Sequence, residues 1–130
     1  MAKRNLLDTN AAIWAAKEPK RLGKEAKRRI ESDAENILSA ISIIEIEMKT
    51  AAGKLSLSDK PFALFHGAGL HVAPFDSSAA REFSRFGSLQ SHDPFDRMIV
   101  SQAAALDATL ITSDRQLLGL GFEWIIDAQA

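Results

Sequence analysis

Apolar residues along this chain come in short runs separated by stretches with helical spacing, and that alternation predicts the elements one by one. Residues 4–7 read as a buried strand ending at Asp8, and 11–16, carrying Trp14, as a helical piece closed by Pro19. Leu22, Ala26 and Ile30 share one face of an amphipathic helix over 23–32, and 36–39 is a second strand. Ser42 is expected to open the next helix, running through Met48 towards Gly53 with Ile41, Ile44 and Met48 at helical spacing; 55–59 is a loop. Pro61 suits the first turn of a helix over 61–68, which Gly67 and Gly69 stop before a strand at 70–73. Ser77 or Ser78 starts a helix to about Arg85. Asp93-Pro94 opens the longest one, through Leu106, and the β-branched run 108–112 is a strand. A short helix follows Asp114 and 123–126 forms a last strand. Five short apolar strands divided by helices predict a three-layer α/β/α fold around a central, mainly parallel five-stranded sheet.

The length of 130 residues fits one domain, taken as 1–130, and 46% hydrophobic residues suffice for a core. The sequence has no cysteine, which excludes disulfides, thiolate zinc sites, iron–sulfur clusters and cysteine nucleophiles, and suits a reducing compartment. No run approaches the roughly 20 apolar residues that cross a bilayer, so a soluble, cytoplasmic protein without a membrane partner is expected. The net charge of −1 favours neither nucleic acid nor membrane, but it is unevenly spread. Residues 17–29 hold Lys17, Lys20, Arg21, Lys24, Lys27, Arg28 and Arg29 against Glu18 and Glu25, while the rest of the chain is acidic. That stripe is either a solvated helix face or a surface for phosphates or an acidic partner.

In open parallel sheets ligands sit beyond the carboxyl ends of the strands. Four acids are predicted there: Asp8 after the first strand, Glu45 in the helix after the second, Asp96 at the start of the long helix, and Asp114 after the fourth strand. Each has a structural explanation when taken singly. Ser42 and Glu45 have the spacing of a capping box, Asp93 and Asp96 suit the start of a proline-led helix, and Asp114 is a possible cap. Taken together they repel, by about 4 kcal/mol per pair at 4 Å and an effective dielectric near 20. Arg97, Arg115 and Lys49 are the nearby cations in sequence, but a divalent ion meets the problem more directly. Oxygen ligands without a histidine pair favour Mg²⁺ or Mn²⁺ over zinc. Such an ion polarises a phosphodiester and activates water, which points to phosphoryl hydrolysis.

These residues resemble a known family. Leu6-Leu7-Asp8-Thr9-Asn10 with Trp14, Ser42-Ile43-Ile44-Glu45, His92-Asp93-Pro94-Phe95-Asp96-Arg97 and Thr109-Leu110-Ile111-Thr112-Ser113-Asp114 are similar, in order, to the PIN-domain signatures of VapC-type toxins. The resemblance implies an Mg²⁺-dependent endoribonuclease, with Mn²⁺ as substitute, in which Asp8, Glu45, Asp96 and Asp114 are catalytic and Asp8, Asp96 and Asp114 hold metal. It implies Thr9, Asn10, Thr112 and Arg97 as substrate contacts. It also implies an RNA substrate, a homodimer, and a cognate antitoxin whose tail lies over the acidic groove. Many relatives have one residue between the histidine and Asp-Pro-Phe-Asp-Arg, whereas His92 here touches Asp93 directly, and the sequence assigns His92 no role.

His66 and His71 fall in helix and strand patterns and are expected to be structural. Phe62, Phe65, Phe75, Phe83, Phe86 and Phe95 are expected in the core, not as base-stacking platforms. Two other readings keep some of these features. A small-molecule phosphohydrolase of the haloacid-dehalogenase type wants a second aspartate where Asn10 stands, and a phosphoacceptor receiver wants paired acids after the first strand and a lysine after the last. A non-catalytic interaction module would use the acids as helix caps and the basic stripe for docking.

Overall fold

The computed structural model describes residues 3–130, so the first two residues of the expected domain 1–130 lie outside the described residues. In chain order the elements are β1 (Arg4–Leu7), α1 (Thr9–Lys17), α2 (Lys24–Ile30), β2 (Glu35–Ser39), α3 (Ala40–Ala51), α4 (Pro61–Gly67), β3 (His71–Ala73), α5 (Ser77–Glu82), α6 (Pro94–Leu106), β4 (Thr109–Thr112), α7 (Arg115–Leu118) and β5 (Ile125–Asp127). The strands lie in the order β3-β2-β1-β4-β5, and every neighbouring pair is parallel. The chain builds outward from β1 through β2 to β3, then returns to the other side of β1 for β4 and β5. Between β1 and β4 the direction of building reverses, which leaves a crevice at their carboxyl ends.

Alternation along the strands makes the three layers. Leu7, Leu38 and Ile111 pack under α1 to α4 with Trp14, Ile43, Ile46 and Phe65. Their neighbours Leu6, Ile37 and Leu110 face the other way, against Ile99, Val100, Ala103 and Phe86. Strands buried on both faces need apolar residues at successive positions, which is why these runs do not alternate with polar ones.

Several boundaries differ from the sequence expectation. β2 passes into α3 without a loop, and Ser39, not Ser42, is the cap: its hydroxyl accepts the Ile41 N–H at 3.0 Å. Ser42 is therefore inside the helix and fully buried. The buried positions of α3 are Ser42, Ile43, Glu45 and Ile46, while Ile44 and Met48 are 50% and 57% exposed. After α5 the chain tightens into a 3-10 stretch over Phe83–Leu89, where the sequence suggested a helix to Arg85. β5 begins two residues later than expected, because Gly121 turns the chain at a φ of 77° and the Ile125 N–H is taken by the Phe122 carbonyl. Phe65 and Phe86 are buried in the core as expected, but Phe62 is 58% exposed.

Candidate active site

Asp8 stands where β1 becomes α1 and serves both the helix and the cavity beyond it. Its Oδ1 accepts the Ala11 N–H at 2.8 Å, capping α1, and its Oδ2 accepts the Thr112 hydroxyl at 2.5 Å and the Ser113 N–H at 3.3 Å. The Asp8 N–H itself donates to the Ile111 carbonyl, so β1 and β4 stay paired up to the site. Asp114 divides its oxygens in the same way. Oδ1 accepts the Leu117 N–H at the start of α7, leaving Oδ2 to face the cavity. Thr112 links the two acids, donating to Asp8 and accepting the Asp114 N–H at 3.0 Å.

Glu45 has no capping task. With the helix opening at Ala40, its carboxylate lies beyond reach of the first turn: Oε1 accepts the Thr9 hydroxyl of α1 at 2.6 Å, and Oε2 accepts from Lys49 Nζ, one turn further along α3, at 2.7 Å. Thr9 also lies 2.9 Å from the Ser42 hydroxyl. Glu45 is buried, and its hydrogen bond raises the Lys49 pKa. Asp96 lies in the first turn of α6, behind the cap Asp93, whose Oδ1 accepts the Phe95 N–H.

The four acids share one cavity of about 340 Å³, lined also by Thr9, Asn10, Lys49, Asp93, Ser113 and Arg115. Burial, then the charges of Asp114, Asp93, Asp8 and Glu45, push the Asp96 carboxyl up to about 7. Asp8 is likewise raised, chiefly by burial, against the pull of its bonds from Thr112, Ala11 and Ser113. Burial and the neighbouring carboxylates thus hold Asp8 and Asp96 towards their protonated forms. Oxygen atoms from Asp96 and Asp114 and a ring nitrogen of His92 all lie within 4.8 Å of one another, a donor set that fits a divalent ion.

His92 is the residue that sequence reasoning missed. Its Nε2 sits 3.1 Å from Asp96 Oδ2 and 3.0 Å from Asp114 Oδ2. Burial lowers its pKa, but Asp114 and Asp96 outweigh that and the net shift is upward. The four-residue spacing from His92 to Asp96 was the available signal.

The predicted substrate contacts divide. Asn10 is exposed on the cavity wall, whereas Thr9 and Thr112 are buried and hold carboxylates in place. Arg97 does not line the cavity. Its guanidinium donates twice to the Phe83 carbonyl, at 3.2 and 3.0 Å, and lies 3.9 Å from the Phe83 ring centre, fastening the 3-10 stretch to α6. Arg115 does reach the rim, bonded to Asp127 at 3.2 Å.

The pattern of the PIN domain family matches residues 6–123. Ribonuclease VapC22 of Mycobacterium tuberculosis is 30% identical over 114 residues, covering 86% of this chain and 88% of that protein. Among solved structures, DNA-bound VapBC from Salmonella typhimurium superposes with a TM-score of 0.68 at 23% identity over 98% of each chain. VapBC2 from Rickettsia felis, bound to a DNA fragment from its promoter, gives 0.69 at 16% identity over 95% of this chain and 97% of that one. At such identities the structural likeness speaks to the fold.

Proposed function

Since the chain belongs to the PIN domain family, we propose that it is a divalent-metal-dependent endoribonuclease, a single PIN-like domain over 1–130 acting as the toxin of a VapBC-type pair. The observation that carries this reading is the meeting of Asp8, Glu45, Asp96 and Asp114 in one cavity at the switch point of the sheet. The ribonuclease relative supports RNA as substrate, and the VapBC neighbours support an antitoxin as partner.

Asp8 and Asp96 are the central ligands in this reading, completed by Asp114 and Glu45 directly or through water. A bound Mg²⁺, or Mn²⁺ in its place, supplies Lewis acidity towards the scissile phosphate and activates water. The chain's own residues arrange that chemistry. Thr112 and the Ala11 and Ser113 amides fix Asp8, and Thr9 with Lys49 fixes Glu45, so the carboxylates need little rearrangement on loading. Lys49 and Arg115 at the rim meet the phosphate, and Asn10 offers an amide to the neighbouring backbone. A cavity crowded with carboxylates also suits a basic side chain from the antitoxin tail. The exposed Ile44, Met48 and Phe62 supply apolar area for a homodimer. No helix among the described residues is long and apolar enough to cross a membrane, and a cytoplasmic site of action goes with this reading.

The test is cleavage of transfer RNA and of a structured RNA by purified protein with Mg²⁺, Mn²⁺ or EDTA, beside Asp96→Asn. Metal-dependent cutting by the wild type and none by the variant is expected. No cutting, with no thermal shift on adding Mn²⁺, overturns the reading in favour of an interaction module.

A further inference from the structure

An all-carboxylate account of the cavity leaves out the imidazole that stands against two of its acids. His92 precedes Asp93, the cap of α6, and its backbone N–H is held by the Leu89 carbonyl at 2.9 Å, so the ring is carried in from the end of the 3-10 stretch. Nε2 then lies 3.0 to 3.1 Å from one oxygen of Asp114 and one of Asp96. Asp114 has already committed its other oxygen to the Leu117 N–H, so the oxygen facing His92 is the one open to a ligand. An octahedral ion bound at about 2.1 Å keeps adjacent ligand atoms about 3 Å apart. Nε2 therefore stands at that spacing from each of the two carboxylate oxygens, and all three donor atoms lie within 4.8 Å of one another. The two other histidines, His66 and His71, lie along a shallow groove with Phe62 and Leu70 beside the edge strand β3 and take no part.

We propose that His92 Nε2 is itself a ligand of the divalent ion, beside Asp96 and Asp114, and that this nitrogen makes the cavity bind Mn²⁺ more tightly than an oxygen-only set would. Imidazole favours the later first-row ions most, and Mn²⁺, though it also takes oxygen, accepts a nitrogen ligand more readily than Mg²⁺, which is bound through oxygen and water. The inference rests on the metal-site reading above and adds to it both a ligand and a preference among ions.

The experiment is a titration of the purified protein with Mn²⁺ followed by electron paramagnetic resonance, with electron spin-echo spectra of the loaded protein. A directly bound imidazole nitrogen modulates the echo. Wild type is expected to show that modulation and His92→Gln to lose it, with Mn²⁺ affinity falling roughly tenfold and Mg²⁺ affinity, read by competition, changing less than about threefold. Wild-type protein with isotopically substituted histidine nitrogen is expected to show the altered modulation, which tests the contact without any substitution. Mn²⁺ bound without nitrogen modulation, or bound equally or more tightly by His92→Gln, overturns His92 as a ligand and leaves the metal cavity standing. Failure of the wild type to bind Mn²⁺ overturns both.

Discussion

At the carboxyl ends of the strands, carboxylates from the β1–α1 and β4–α7 junctions and from within α3 and α6 share a cavity of about 340 Å³. At the amino ends a larger cleft, about 510 Å³, is lined by Lys3, Arg4, Arg28 and Arg29. The larger and more basic cleft looks at first like the place for RNA. Its arginines are already met: Arg28 lies 2.6 Å and Arg29 3.2 Å from Glu25, and Arg4 reaches both Glu35 and the Leu106 carbonyl. In the acidic cavity the balance is unmet. Lys49 answers Glu45 and His92 answers Asp96 and Asp114, yet Asp96 is still pushed up to about 7. A buried charge without enough partners marks a site better than the number of charges or the size of the opening.

The largest effect that would break this contrast is on cleavage. Asp8→Asn or Asp96→Asn is expected to lower RNA hydrolysis by at least about a thousandfold, the equivalent of several kcal/mol of metal-assisted stabilisation. Circular dichroism of the folded variant checks that the loss is not structural. An active Asp96→Asn would make the acidic end no more a site than the basic one.

Next comes the effect of unmet charge on stability. Asp96 ionises near 4 when unfolded and at about 7 when folded, so the folded metal-free protein holds this proton more tightly. Stability should then fall as pH rises from about 4 to about 7 and stay low above that. Asp96→Asn removes this dependence and should stabilise the metal-free protein by on the order of 2 kcal/mol at pH 8. Urea titrations of wild type and variant at pH values across that window measure it. A variant less stable than wild type at the alkaline end would show that the carboxylates are not in conflict.

Arg97 gives a smaller effect. Replacing it by Lys loses the paired bonds to the Phe83 carbonyl and the ring contact, and should cost about 1 kcal/mol in chemical denaturation, with cleavage within about twofold of wild type. A large loss of cleavage at unchanged stability would return Arg97 to the substrate. The smallest effect is expected at the basic end: Arg28→Gln should leave cleavage and its salt dependence within about twofold, because that guanidinium is held by Glu25. A flattened salt dependence would make the amino end part of the RNA surface.

Much of the fold was legible in advance because its signals are local. Runs such as Leu6-Leu7, Ile37-Leu38 and Leu110-Ile111 require burial on both faces, and Pro61, Pro94, Gly67 and Gly69 punctuate the helices. The acids could be placed at strand ends for the same reason. Their alternative use as caps was half right. Asp8 and Asp114 do cap helices, each with one oxygen, while Glu45 caps nothing because α3 begins at Ala40.

The sequence by itself determined which residues share a helix face and which junctions end in an acid, since periodicity and turn chemistry depend only on neighbours along the chain. Tertiary structure decided which of the faces meets the sheet and where long side chains point. Ile44 and Met48 share the spacing of core residues, yet α3 turns Ile43 and Ile46 inward and leaves those two in water. His92 is drawn to Asp114, twenty-two residues away, and Arg97 to a carbonyl fourteen residues away. Such contacts depend on packing between elements distant in sequence, and no local pattern encodes them.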